Sequence, residues 1–219
     1  MKKHILCLGD SNTHGYCADP ADCAGGGDRF SEAERWTCRL QAALGEDYLV
    51  LEEGLSGRTT VFQDPLYEGL DALHYLWPCL KSHEPLSLLI IMLGTNDVKQ
   101  RMGGASAFAI SLGMRRLIQK AQTTDCWGTG KPNILIIAPL PIDKRVEQSP
   151  VADEMGQGAV EKSRELPAHL KQMAAENGVH FLDAAELGLA FNQIDFMHLT
   201  RDSHARLAQA LAEKVRELV

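Results

Sequence analysis

No segment of this sequence is long and apolar enough to cross a bilayer: the longest uninterrupted apolar run is residues 88–93, and a spanning helix needs roughly 20 such residues. The apolar stretch after Lys2 and Lys3 stops at Gly9 without a cleavage-site pattern, so a cytoplasmic protein is expected. Basic runs are missing as well. The 22 Lys and Arg residues are scattered among 29 Asp and Glu, for a formal charge of -7, which offers no electrostatic grip on nucleic acid or an anionic membrane. A small or neutral partner fits better. The six cysteines include no C-x-x-C pair and no cysteine spacing of metal type, and they are too sparse for a disulfide scaffold. They read as reduced thiols, with Cys7 buried in a strand. Neither G-x-x-x-x-G-K-[ST] nor a G-x-G-x-x-G after a strand occurs, which weighs against nucleotide binding. Repeats, linkers and low-complexity segments are also absent.

What is present is enough apolar material for a core: 45% of 219 residues are hydrophobic, which suits one domain better than two. Residues 5–9, 48–52, 88–93 and 134–138 are short and continuously apolar, the pattern of strands covered on both faces. A weaker fifth strand is expected at 179–182. Between them lie helical periods. Ile110, Met114, Leu117 and Ala121 share one face, with Arg115, Arg116 and Gln119 opposite. Leu207, Leu211, Val215 and Leu218 repeat the pattern in a last helix capped by Thr200. Pro167 falls inside a helical stretch from 160 to 176, which it must kink or restart, and Asn177-Gly178 supplies the stop. Strand alternating with helix predicts an α/β fold: a mainly parallel five-stranded sheet between two helical layers.

In such sheets ligands bind beyond the carboxyl ends of the strands, so the residues after each strand matter most. These are Gly9-Asp10-Ser11-Asn12, then Glu53-Gly54-Leu55-Ser56-Gly57-Arg58-Thr59-Thr60, then Gly94-Thr95-Asn96-Asp97, and finally Asp195-Phe196-Met197-His198 before the last helix. A serine hydroxyl is a weak nucleophile until a base takes its proton, and histidine suits that task near neutral pH. Asp195 would hold the imidazole of His198 in the productive tautomer. Gly57 leaves its N–H open, and the Asn96 amide is a neutral donor, so both suit a developing oxyanion. The chemistry requires no metal and no cofactor. The pattern is not the G-x-S-x-G elbow, since Thr13 stands two residues after Ser11.

These four blocks resemble the SGNH (GDSL-type) hydrolase family over nearly the whole chain. "ILCLGDSNTHG", "RWT", "EEGLSGRTT", "IIMLGTND" and "LAEKVREL" are most similar to its bacterial arylesterase and acyltransferase branch, which includes perhydrolases. The resemblance implies a flavodoxin-like three-layer α/β/α sheet, Ser11 as nucleophile, His198 as base and Asp195 as its partner. It also implies an oxyanion hole from Ser11 N–H, Gly57 N–H and the Asn96 side chain, and a homo-oligomer. Asn12 stands where the family often has leucine, which bears on substrate fit. Asn12, His14, Pro139 and Leu140 are the expected pocket residues, and the 139–158 loop is either a wall of the site or a subunit contact.

The expected activity is a serine esterase working through an acyl-enzyme on short-chain and aryl esters, with alcohol or peroxide as alternative acyl acceptors. Thioesters, lysophospholipids and acetylated carbohydrates are alternative substrates for the same attack. A non-catalytic flavodoxin-like module using Asp10 and Asp97 is the reading from another class; it lacks the expected lysine near strand five, and this chain is too long for it. Asp10 and Asp97 read as backbone-orienting turn acids, Trp36 as a packing residue, and Arg58, Thr59 and Thr60 as the support of Gly57. His204 is expected to be a solvated residue on the last helix.

Overall fold

The structure is a computed structural model that describes residues 2–219. Its sheet has five parallel strands, β1 (Lys3–Gly9), β2 (Tyr48–Gly54), β3 (Leu86–Met92), β4 (Ile134–Ala138) and β5 (His180–Asp183), in the order β2-β1-β3-β4-β5. All four pairings are parallel. The three central strands are nearly wholly buried. The edge strands β2 and β5 are only half-buried, so their apolar runs are covered less fully than the sequence pattern implied.

Alternation along the central strands sends side chains to two cores. Leu6, Leu8, Leu89, Ile91, Ile134 and Ile136 face α3 (Ala72–Ser82), α4 (Ala107–Thr123) and α6 (Ala159–Glu176). Ile5, Cys7, Leu88, Ile90, Leu135 and Ile137 face α2 (Trp36–Leu44) and α7 (Arg201–Leu218). The result is a three-layer α/β/α fold. Two one-turn helices, α1 (Ser11–His14) and α5 (Ala152–Met155), lie at the carboxyl edge of the sheet. Among the described residues, no helix is long and apolar enough to cross a membrane.

Local signals account for most helix ends. Thr200 accepts the Ser203 N–H as the cap of α7, and Asn177 caps α6 before Gly178 at φ 64°. α6 continues through Pro167 without restarting. The proline removes one helical N–H, and the burial of Leu166, Leu170 and Met173 on both sides of it outweighs that single loss. The six cysteines are free thiols, Cys7 fully buried among them.

His204 departs from expectation. It is completely buried, its Nδ1 accepts the Trp36 N–H at 3.1 Å, and its ring meets Phe30 edge-on at 4.8 Å. Positions 204, 207, 211 and 215 share one helical face, so the histidine belongs to the core stripe of α7.

Candidate active site

The order β2-β1-β3 places the carboxyl ends of three strands side by side, and Gly57, Ser11 and Asn96 follow those ends in turn. Asp10 shapes the first turn: its Oδ1 accepts the Asn12 N–H at 3.0 Å, which starts α1 at the serine. Close packing fixes that turn against β2. A Cβ on Gly54 would lie 2.2 Å from the His14 nitrogen, so only glycine fits there.

Ser11 Oγ lies 2.8 Å from His198 Nε2, and His198 Nδ1 lies 2.6 Å from Asp195 Oδ2; all three residues are buried. Burial opposes ionisation of Asp195. Hydrogen bonds and charge from His198, with the Met197 N–H and the Asn192 amide, outweigh it and hold the carboxyl down at about 2. An ionised Asp195 can only accept, so His198 carries its proton on Nδ1 and offers a lone pair from Nε2 to the serine hydroxyl.

The turn carrying these two residues is heavily braced. Asp195 Oδ1 accepts from Met197 N, His198 N and Asn192 Nδ2. Asn192 Oδ1 accepts from Ile194 N and Asp195 N, and its amide also donates to the His198 carbonyl. Phe196 sits at φ 57°, an uncommon conformation for a bulky side chain, held by these bonds and by Arg145, 4.6 Å from its ring. Asn192 went unnoticed in the sequence. Its spacing N-x-x-D-x-x-H was visible, but its work is done on backbone groups that only the folded turn brings together.

Asn96 is buried, and its Nδ2 donates to the Arg58 carbonyl at 3.1 Å, leaving its second N–H free for the cleft it lines. Gly57 stands at φ 84°, where a side chain would be strained and a Cβ would meet Leu70 at 3.0 Å. The residues after it anchor its loop. The Arg58 guanidinium donates to the Gly9 and Glu53 carbonyls, and Thr59 Oγ1 donates to the Phe62 carbonyl. Thr60 N and Oγ1 both donate to Asp97 Oδ1, at 2.9 and 2.5 Å. Asp97 is therefore a clamp between the loops after β2 and β3 and not a local turn acid. Burial pushes both Asp97 and Asp10 up to about 6, against the hydrogen bonds that Thr60 and Asn12 give them.

A cleft of about 500 Å³ opens over Ser11. Gly57, Asn96, Asp195 and His198 line it, with Tyr16 tilted against the His198 ring at 4.6 Å between centroids. Leu70, Val151 and Met197 supply apolar wall. The far polar stretch is an ion-pair network: Lys99 Nζ to Glu154 at 2.6 Å, and Arg101 to Asp64 at 2.9 Å. Val151 and Glu154 make the 139–158 segment a wall of this cleft.

The four residues expected to line the pocket lie elsewhere. Asn12 faces the histidine turn, donating to the Met197 carbonyl and accepting from Leu199 N, while its own carbonyl takes the Trp36 indole N–H. Pro139 and Leu140 border a separate small crevice with Asn12. His14 packs over Gly54 and accepts from Arg29 through its carbonyl. Asn12 points about 100° away from Ser11 in the helical turn, and His14 lies against β2 at Gly54. Tyr16, Lys99 and Arg101 escaped notice because they come from loops without periodicity, and Glu154 because its helix α5 is a single turn, too short to show a period.

A parallel α/β/α sheet with a serine, a histidine and an aspartate hydrogen-bonded in series at its carboxyl edge has the arrangement of a serine hydrolase. The chain belongs to the GDSL-like lipase/acylhydrolase family, also called SGNH hydrolases, whose model matches residues 7–214. The aryl esterase of M. smegmatis is 37% identical, with a TM-score of 0.87 over 99% of this chain and 100% of that one. Est24, a carbohydrate acetylesterase from Sinorhizobium meliloti, is 35% identical, with a TM-score of 0.84 over the full length of both. A lipolytic G-D-S-L family member from Veillonella parvula shares the fold at a TM-score of 0.66 and 18% identity, over 96% of this chain and 97% of that one. No curated protein matches the sequence.

Proposed function

We propose that this protein is a serine esterase that cleaves short-chain acyl and aryl esters through an acyl-enzyme. The observation that carries the reading is the series Ser11 Oγ, His198 Nε2, His198 Nδ1, Asp195 Oδ2, with steps of 2.8 and 2.6 Å, at the floor of an open cleft. Ser11 Oγ attacks the ester carbon as its proton passes to His198 Nε2. The carbonyl oxygen becomes negative facing the N–H groups of Ser11 and Gly57 and the Asn96 amide, which stabilise it without rearranging. Collapse expels the alcohol or phenol, which takes the proton from His198. Water, an alcohol or a peroxide then gives its proton to His198 and attacks the acyl-serine, releasing acid, ester or peracid.

The cleft supports short acyl groups. An alkyl chain long enough to fill the cleft would cover Lys99, Glu154 and Arg101 in its lining, and covering charged groups with hydrocarbon is unfavourable. The same polar stretch favours a second reading, deacetylation of carbohydrates, since these groups can hydrogen-bond sugar hydroxyls. The likeness to an aryl esterase and to a carbohydrate acetylesterase is consistent with either.

The test is hydrolysis of p-nitrophenyl esters from acetate to octanoate by wild type and Ser11→Ala. Serine-dependent turnover that falls off beyond short chains supports the first reading. Turnover unchanged in Ser11→Ala overturns it, and turnover confined to acetylated sugars selects the second.

A further inference from the structure

Near the carboxyl end of β2, outside the lining of the cleft, Glu53, Cys79 and His83 bring an oxygen, a sulfur and an imidazole nitrogen within 4.8 Å of one another. Cys79 and His83 lie four residues apart at the end of α3, so their side chains stack one turn apart on one face, and Glu53 arrives from the carboxyl end of β2. We propose that these three residues form a divalent-cation site of zinc type, separate from ester cleavage.

The donor set suits zinc: one carboxylate, one thiolate and one imidazole are common ligands for a four-coordinate, borderline-soft ion. The side chains of His83 and Glu53 are 26% and 18% exposed, which leaves a path for a water as fourth ligand. Two of the donors already meet, with Glu53 Oε1 2.8 Å from His83 Nε2, and outer partners orient them: Glu53 Oε2 accepts the Tyr75 hydroxyl at 2.8 Å. The His83 carbonyl accepts from His4 Nδ1 at 2.9 Å, fixing the backbone that presents the ring. Such outer-shell bonds commonly hold metal-binding side chains in place.

Burial, with the charge of Glu53, pushes the Cys79 thiol up to about 12, while the nearby Arg58 guanidinium pulls the other way. Binding reverses the balance. The sulfur–metal bond forms as the thiol proton passes to the buffer, His83 binds as the neutral ring, and the carboxylate exchanges its histidine hydrogen bond for the ion. A Cys79-x-x-x-His83 pair escapes a search for cysteine pairs alone, so no metal signal was read from the cysteine spacing.

Cobalt(II) is the probe, because a cobalt–thiolate bond adds a charge-transfer absorption that a carboxylate or imidazole site lacks. One equivalent of cobalt, displaced by zinc, should give that band in the wild type and in Cys38→Ser, which removes the half-exposed thiol. Cys79→Ser should abolish it. His83→Gln, at a partly exposed position, should weaken cobalt affinity at least tenfold, and this variant stands if Cys79→Ser fails to fold. A wild type without the band, or a band that persists in folded Cys79→Ser, overturns the site. The readout is absorption, so it is independent of the esterase reading.

Discussion

At the scale of single residues, the site rests on donors and acceptors whose count leaves little freedom. Asn96 spends one amide hydrogen on the Arg58 carbonyl and has one left for the cleft. If that second hydrogen meets the oxyanion, Asn96→Ala will lower kcat about 10²- to 10³-fold and leave KM within a few-fold, because the bond matters chiefly in the transition state. Steady-state kinetics on a p-nitrophenyl ester checks this, and an effect confined to KM would move Asn96 to substrate binding. Asp195→Asn tests the neighbouring link. An amide that turns its NH2 toward His198 favours the wrong tautomer, so kcat should fall on the order of 10³- to 10⁴-fold with the fold retained. Ser11 and Asn96 stood out in the sequence because each follows a strand closely, where a parallel sheet exposes it, and Asp195 with His198 because they share the turn before the last helix. Asn192 and Tyr16 were not, since one works on backbone groups of a turn and the other on the face of the His198 ring.

At the scale of elements, the Gly57 loop after β2, proposed to face the oxyanion, is held from the loop after β3. Asp97 Oδ1 takes both donors of Thr60, three residues beyond Gly57, so the carboxyl positions Gly57 without touching substrate. Asp97→Ala leaves two buried donors unpaired, a loss of about 1–3 kcal/mol of stability, and should reduce kcat at least tenfold. Asp97→Asn keeps an acceptor oxygen and should restore kcat to within about threefold of wild type, with chemical denaturation read in parallel. A purely structural clamp would alter stability in both variants without this split in kcat. The order of strands and helices was readable because buried parallel strands and amphipathic helices have different periods. The cleft wall was harder. Glu154 and Val151 come from a segment with no period, and Asn12 and His14 were placed in the pocket by proximity in sequence, whereas Asn12 turns to the histidine turn and His14 packs against Gly54 of β2. His204 shows the reverse error: the period that identified α7 already contained it, and only its polarity argued for solvent.

At the scale of the whole molecule, three buried groups set opposing responses to acid. Burial, followed by the charges of His198 and Arg39, pushes His204 down to about 3, and its Nδ1 already accepts from Trp36. Its stability contribution is complete above the ordinary histidine value of 6.5 and is lost as pH falls toward 3. Asp10 and Asp97 act with the other sign: raised to about 6, they favour the folded state below 3.8 and lose that contribution as pH rises through about 6. Glu52, Asp143 and Asp195, held at about 2, keep their contributions above the ordinary 4.5 or 3.8 and lose them as pH falls from there toward 2. The interval from pH 7.5 to 5 therefore reports chiefly on the first three, with His14, whose value burial also lowers, adding to the response of His204. Over it, His204 should withdraw about 2 kcal/mol, and each aspartate should return roughly 1 kcal/mol, at about 1.4 kcal/mol per unit for each proton taken up differently. Urea unfolding at the two pH values measures the difference directly. His204→Asn, whatever its offset from lost packing, should gain about 2 kcal/mol relative to wild type on going to pH 5. Asp97→Asn should lose roughly 1 kcal/mol over the same interval. Equal pH responses in wild type and His204→Asn would mean that the histidine takes up its proton alike in the folded and unfolded chains, contrary to a fully buried imidazole facing a backbone donor.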